Sequence, residues 1–368
     1  MKKTLIALAT VAVTTGAMAQ VTIGGKLTFD AMENSKTTTK VGTAAATTST
    51  SDFTGGQDGL TTSEFQVSGK EDLGSGLTAS FQVNTGMNDH GIGNRDTYLK
   101  LGGDFGSVQV GRFTPAASLG FYGYSGAATT QVGSIYGAGS GNGTTANAVL
   151  GVVATAGSFE RNNNQLQYSS PSFNGLTFNV NYGSTSTDAS ATLGEASTKQ
   201  QGFSVAYASG PLSIAAGKNT RNVDAEGASA TASGVKIEGD LDWIGAKYDM
   251  GVAVLNFTNV QRKDQTAAAA TGVVTVNSDI SLNSFGVSVP MGALTFSASM
   301  YEGENDVTAL TTDNLDLSGN QLMVNYALSK RTSIYAVTGM NKSELGSGNT
   351  AGTAIKTKTT SVGMNHSF

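Results

Sequence analysis

Apolar and polar residues alternate, every second position, from about residue 20 to the last residue of this chain. A period of two is the signature of extended backbone, because successive side chains of a strand point to opposite faces. In GLTASFQVN (76–84), Leu77, Ala79, Phe81 and Val83 oppose Thr78, Ser80, Gln82 and Asn84. In GLTFNVNYG (175–183), Leu176, Phe178, Val180 and Tyr182 oppose Thr177, Asn179 and Asn181. Leu322, Val324 and Tyr326 repeat the pattern, and the final segment sets Val362, Met364, His366 and Phe368 against Ser361, Gly363, Asn365 and Ser367. The polar face is small, neutral and as regular as the apolar one. A β-sandwich would turn its apolar faces into one dry core. Lipid outside and water inside a closed cylinder satisfies both faces at once, and closure removes the unpaired edges. Beyond residue 19 no apolar run approaches the ~20 residues of a helical membrane span, whereas a membrane strand needs only ~9–11.

Connections alternate in length. Short ones fall at 71–76, 102–107, 170–175, 209–211, 248–251, 290–292 and 328–331; long ones, rich in Gly, Ser, Thr, Ala, Asn and Asp, fall at roughly 33–62, 85–94, 113–162, 184–198, 220–237, 263–280, 303–317 and 343–355. Seven short turns and eight long loops predict an all-β, antiparallel up-and-down transmembrane barrel of sixteen strands, with eighteen as the alternative. The turns would be periplasmic and the loops extracellular. No linker divides the chain, so residues 20–368 read as one domain. Before it, Met1-Lys2-Lys3, the short apolar run Leu5–Val13 and Ala17-Met18-Ala19 read as a secretory signal peptide, 1–19, cleaved between Ala19 and Gln20.

Composition closes off other chemistry. Cysteine is absent, so thiol catalysis and thiolate metal sites are excluded; 22 Lys and Arg against 27 Asp and Glu leave no basic excess for nucleic acid. The two histidines, His90 and His366, belong to no H-E-x-x-H pair, and neither a G-x-S-x-G elbow nor a phosphate-binding G-x-x-x-x-G-K-[ST] loop occurs. The expectation is no enzyme, no cofactor and no metal. Glu302/Glu304 and Asp313/Asp316 read as solvated surface, or as carboxylates where a divalent cation bridges them or lipid phosphates.

Particular stretches resemble the general porins of β-proteobacteria: VTIGGKLTFD (21–30), GKEDLGSGLTASFQ (69–82), YLKLGGDFGSVQVGRFTPA (98–116), YSSPSFNGLTFNVNYG (168–183), YALSKRTSIYAV (326–337) and VGMNHSF (362–368). The resemblance implies an outer-membrane homotrimer, embedded among lipid and lipopolysaccharide. It would pass ions and small hydrophilic solutes by diffusion, with its third long loop folded into the lumen. It also implies that the terminal Phe368 serves as a signal to the barrel-assembly machinery. The longest connection, 113–162, is the expected constriction loop, with Pro115 at its start and Tyr122, Tyr124 and Tyr136 as anchors.

The family's basic positions facing that loop match Arg112, which is retained, Glu64, which is reversed, and Gln167, which is neutral. Strict alternation would aim Arg112 at lipid; a bulge could turn it inward, and otherwise it sits at the membrane interface. Gln66 and Ser68 share the inward face of Glu64, and Lys100, Asp96 and Tyr98 line the next wall. Glu64, Asp96 and the overall acidity, against Arg112 and Lys100, predict weak selectivity tilted toward cations. A substrate-specific channel and a secreted β-rich adhesin are the rival readings.

Overall fold

The computed structural model describes residues 20–40, 46–55, 62–87, 93, 95–129, 132–135, 159, 161–187, 196–225, 235–268, 274–306, 315–345 and 353–368. The expected leader through Ala19 and the expected anchor Tyr136 lie outside the described residues; Gln20 opens the first strand. The strands are β1 (Gln20–Lys40), β2 (Ala46–Gly55), β3 (Glu64–Gly74), β4 (Leu77–Gly86), β5 (Thr97–Gly103), β6 (Gly106–Phe113), β7 (Asn162–Ser169), β8 (Leu176–Thr187) and β9 (Ala196–Ser209). They continue as β10 (Leu212–Ala225), β11 (Val235–Asp249), β12 (Val254–Ala268), β13 (Val274–Met291), β14 (Leu294–Asn305), β15 (Leu315–Ala327), β16 (Thr332–Leu345) and β17 (Thr353–Ser367). From β3 onward sequence neighbours pair antiparallel, and β17 pairs back onto β1 from Lys26↔Ser367 to Lys40↔Thr353, so the sheet closes. Phe368 extends the seam through two backbone bonds with Gly25.

Sixteen strands is therefore a wrong count: among the described residues there are seventeen. The additional strand is β2. It pairs with residues 29–38 of β1, while β3 pairs with residues 20–26, so both lie along one edge of β1. β2 thus adds a strand beside β1 without breaking the antiparallel circuit that runs from β1 through β3–β17. The segment 33–62 reads as a loop in sequence because TTTK and ATTSTSD carry no apolar alternation. Threonine suits extended backbone all the same, since its branched Cβ restricts χ1.

Turns sit where residues tolerate φ > 0. Asn174 (φ 50°) and Gly175 (φ 90°) occupy the two central positions between Phe173 and Leu176, which exchange backbone bonds of 2.8 and 3.0 Å. Positive φ at both positions makes the hairpin twist match its strands, and Asn-Gly is the pair best suited to it.

The outward face is apolar near the short turns: Leu99 (63% exposed), Leu322 (60% exposed), Val180, Phe203, Ile244, Phe285, Phe296 and Val362 all face out. Farther up β11–β15 the phase reverses. On β11 the outward apolar residues are Tyr248 and Ile244, but Trp243, Leu241 and Ile237 are buried inside while Asp242 and Asp240 face out. The same switch separates Phe285 from Leu282 and Ile280 on β13, and Leu322 from Leu317 on β15. Outward ion pairs Lys218–Asp242 (3.0 Å) and Lys263–Asp279 (3.0 Å) lie above the switch. Charges cannot line hydrocarbon cheaply, so the switch marks where these strands leave the bilayer. Above it the strands stand in water and hide their apolar face within the cylinder.

This assignment has a direct test. Leu322→Arg is expected to destabilise the inserted barrel by about 2–4 kcal/mol if Leu322 is near the bilayer midplane. Ser80→Arg, on the inward face, should cost far less. Urea unfolding from lipid vesicles compares the two, and equal losses would defeat the face assignment.

Candidate functional site

Between β6 and β7 the chain turns into the cylinder. Pro115 precedes a single helical turn, α1 (Ala116–Leu119), followed by a 3-10 turn, Gly120–Tyr124. Proline suits that place because a first helical turn needs no N–H partner from it. The N–H of Ala116 is instead met by Gln167 Oε1 at 2.9 Å. Gln167 thus anchors the start of the inner loop.

The loop then runs along the inner wall. Trp243 Nε1 donates to Ala117 O (2.8 Å), Asn219 Nδ2 to Ser118 Oγ (2.7 Å), Thr258 Oγ1 to Phe121 O (3.3 Å) and Ser284 Oγ to Ser125 O (3.2 Å). Phe121 and Tyr124 flank the Trp243 ring at 6.4 and 6.3 Å, and the Tyr124 hydroxyl meets Ser213 Oγ at 3.0 Å. Farther on, Gln321 accepts from the N–H groups of Ala128 (2.8 Å) and Thr129 (3.1 Å) and donates to the carbonyls of Thr129 (3.2 Å) and Val132 (2.5 Å). Val132 packs with Met32, Tyr335 and Val337. The loop therefore spans the wall from β9 to β16.

Glycine on the wall makes this fit. A Cβ on Gly286 would sit 2.6 Å from the Cα of Gly126, and one on Gly245 would sit 2.5 Å from the Tyr124 ring. Beyond that span the wall continues through β3–β7. Loss of the Gln321 fastener is testable here: Gln321→Ala removes four hydrogen bonds, three of them buried, each worth about 0.5–1.5 kcal/mol. The expected outcome is a folded barrel that becomes open to protease beside Ala128, Thr129 and Val132 in the intact protein, which limited digestion checks.

The open wall carries paired charges. Glu64 accepts from Asn84 Nδ2 (3.1 Å) and pairs with Arg95 (3.1 Å). Asp96 pairs with Arg161 at 2.5 Å. Tyr98 donates to Gln82 Oε1 (3.1 Å) and meets Phe113 edge-on at 6.3 Å. Gln66 and Ser68 stand opposite Asn84 and Gln82 on the same face, and Lys100 stands opposite Gln109. The structure thus groups Glu64, Asp96, Tyr98, Lys100, Gln66 and Ser68 on one wall. It adds Arg95 and Arg161, which the sequence reading missed because both lie in segments without periodicity.

Arg112 is not part of that wall, and its pore-lining expectation is corrected. It stands opposite Thr97, on the face of Val110 and Leu99, and donates to the exposed Asn163 at 3.0 Å. A bulge does occur, but the extra residue is in β7: Gly111 pairs with Gln165 and Phe113 with Asn162, and Asn164 takes φ 55°. Because β6 keeps its alternation, the bulge cannot re-aim Arg112. Among the described residues no group of His, Cys, Asp and Glu is placed to hold a metal ion.

Known proteins share this architecture. The family model described as Gram-negative porin matches residues 4–346. Outer membrane porin protein 32 of Delftia acidovorans is 30% identical over 354 residues, covering 91% of this chain and 88% of that protein. Major outer membrane protein P.IB of Neisseria meningitidis serogroup B is 40% identical over 116 residues, 30% of this chain and 34% of its own. Among solved structures, the anion-selective porin from Comamonas acidovorans superposes with a TM-score of 0.67 at 23% identity, covering 95% of this chain and all of its own.

Proposed function

Because the chain belongs to the Gram-negative porin family and is a general diffusion porin of the bacterial outer membrane, we propose that it conducts ions and small hydrophilic solutes with weak charge selectivity and no tilt toward either sign. The observation that carries this reading is the pairing of Glu64 with Arg95 and of Asp96 with Arg161 on the open wall. A pore selects by width and by charge at its narrowest place. Carboxylates matched by neighbouring guanidinium groups leave little net field for a passing ion. The expected tilt toward cations counted Glu64 and Asp96 without these guanidinium partners, and the pairing argues against it. Glu64, Gln66, Ser68, Asp96, Tyr98 and Lys100 are proposed as pore-lining. Gln167, Pro115, Tyr122 and Tyr124 are proposed as the frame of the constriction loop.

Reversal potentials in a salt gradient across a planar bilayer test it. Values near zero are expected, and a strong preference of either sign would overturn it. We also propose a homotrimer, with Phe368 read by the assembly machinery. Shallow outward concavities on β13–β17 and β1, floored by Ala298, Ala336 and Ala31, support close packing of barrels. Conductance steps in groups of three are the expected sign. Isolated single steps from verified native protein would reject the trimer.

A further inference from the structure

The pore mechanism makes no use of one pair of charged side chains. Arg262 and Asp264, on β12, are both fully buried (0% exposed), and the guanidinium bonds the carboxylate twice, Nε to Oδ2 at 2.8 Å and Nη2 to Oδ1 at 3.2 Å. Arg262 stands between Leu241 and Ile280 on the neighbouring strands, both fully buried, with the Arg221 guanidinium near enough to repel it. A charge pair in such a place is poor evidence for stability, because desolvation offsets the attraction, so a specific positional role is the better explanation.

The position is defined by Phe159. Its ring is fully buried, and the Arg262 guanidinium carbon lies 5.0 Å from the ring centroid. A planar guanidinium can present a fork to the carboxylate and a face to the ring together, which a lysine cannot. Phe159 is on the returning limb of the constriction loop. Two residues later Arg161 pairs with Asp96 on the open wall, and Asn162 is held by Gln200 and by Arg221 Nη1 at 2.8 Å. Phe159 is thereby held from β12 on one side of the lumen, and Arg161 from the residue preceding β5 on the other.

We propose that Arg262, fixed by Asp264, is a positioning residue for the pore. It seats Phe159, and through the short limb it sets the place of Arg161 beside Asp96, although it touches no permeating ion. This rests on the pore reading but not on the absence of a charge tilt.

Arg262→Met and Phe159→Ala are compared with wild type in planar bilayers, with heat-dependent electrophoretic mobility as the check on folding. Both variants are expected to insert and open, to lose the single quiet open level to fluctuating sublevels, and to shift the reversal potential toward cations as Asp96 loses its guanidinium. Arg262→Lys, which keeps the charge but not the fork, is expected between them and wild type. Should Arg262→Met fail to fold, Phe159→Ala decides, since it leaves the ion pair whole. Wild-type noise and reversal potential in folded Phe159→Ala overturn the proposal. Silent wild-type channels would indict the pore reading instead.

Discussion

In a steep salt gradient, the double variant Glu64→Gln/Asp96→Asn is expected to become clearly anion-selective. Both carboxylates neutralise a guanidinium on the open wall, 3.1 Å away for Glu64. Removing them takes two negative charges from the wall while Arg95 and Arg161 stay. A unit charge ~10 Å from a passing ion contributes about 0.4 kcal/mol in water, roughly a twofold change in local concentration for each ion sign. The anion-to-cation ratio should then change about fourfold per charge, and less in concentrated salt, where the Debye length falls below ~10 Å. Arg95→Gln/Arg161→Gln should move the reversal potential the opposite way. Both variants keep a hydrogen-bonding side chain of similar size, so conductance at high salt should stay close to wild type. If neither variant moves the reversal potential, these residues do not border the ion path.

Trp243→Ala is expected to release the inner loop and enlarge the pore. Trp243 holds Ala117 by a 2.8 Å hydrogen bond and lies against Phe121 and Tyr124, and added Cβ atoms on Gly120 and Gly217 would contact its ring at 2.3 and 2.5 Å. Truncating a buried tryptophan costs about 3–5 kcal/mol. Here that loss falls on the docking of the loop rather than on the hydrogen-bonded sheet. Higher single-channel conductance and faster uptake of larger sugars into vesicles should follow, with the barrel still folded. Gly286→Val tests the same seat from another strand, because its side chain would displace the Gly126 backbone. Trp243 is the only tryptophan in the chain, so in Gly286→Val its emission should shift to the red as water reaches the ring. Unchanged conductance in both variants would mean that the loop does not limit flow.

Faces, the number of short turns and the antiparallel order were legible in the sequence. Each follows from local geometry: a strand alternates side chains, and Asn174-Gly175 can take φ > 0 where few other pairs can. The reversal of phase between Ile244 and Trp243 was also written there, as apolar residues moving from even to odd positions. Its meaning depends on where the bilayer ends.

What tertiary structure alone decided is who meets whom across the lumen. Arg161 reaches Asp96 over 65 positions, and Gln321 holds Ala128 over 193. The bulge that leaves Arg112 outward belongs to a different strand, and β2 shares an edge of β1 with β3. Periodicity fixes which side of the sheet a residue occupies. Partners are fixed only when the sheet closes and the long loop folds against its wall, because closure sets register between residues that no local rule connects.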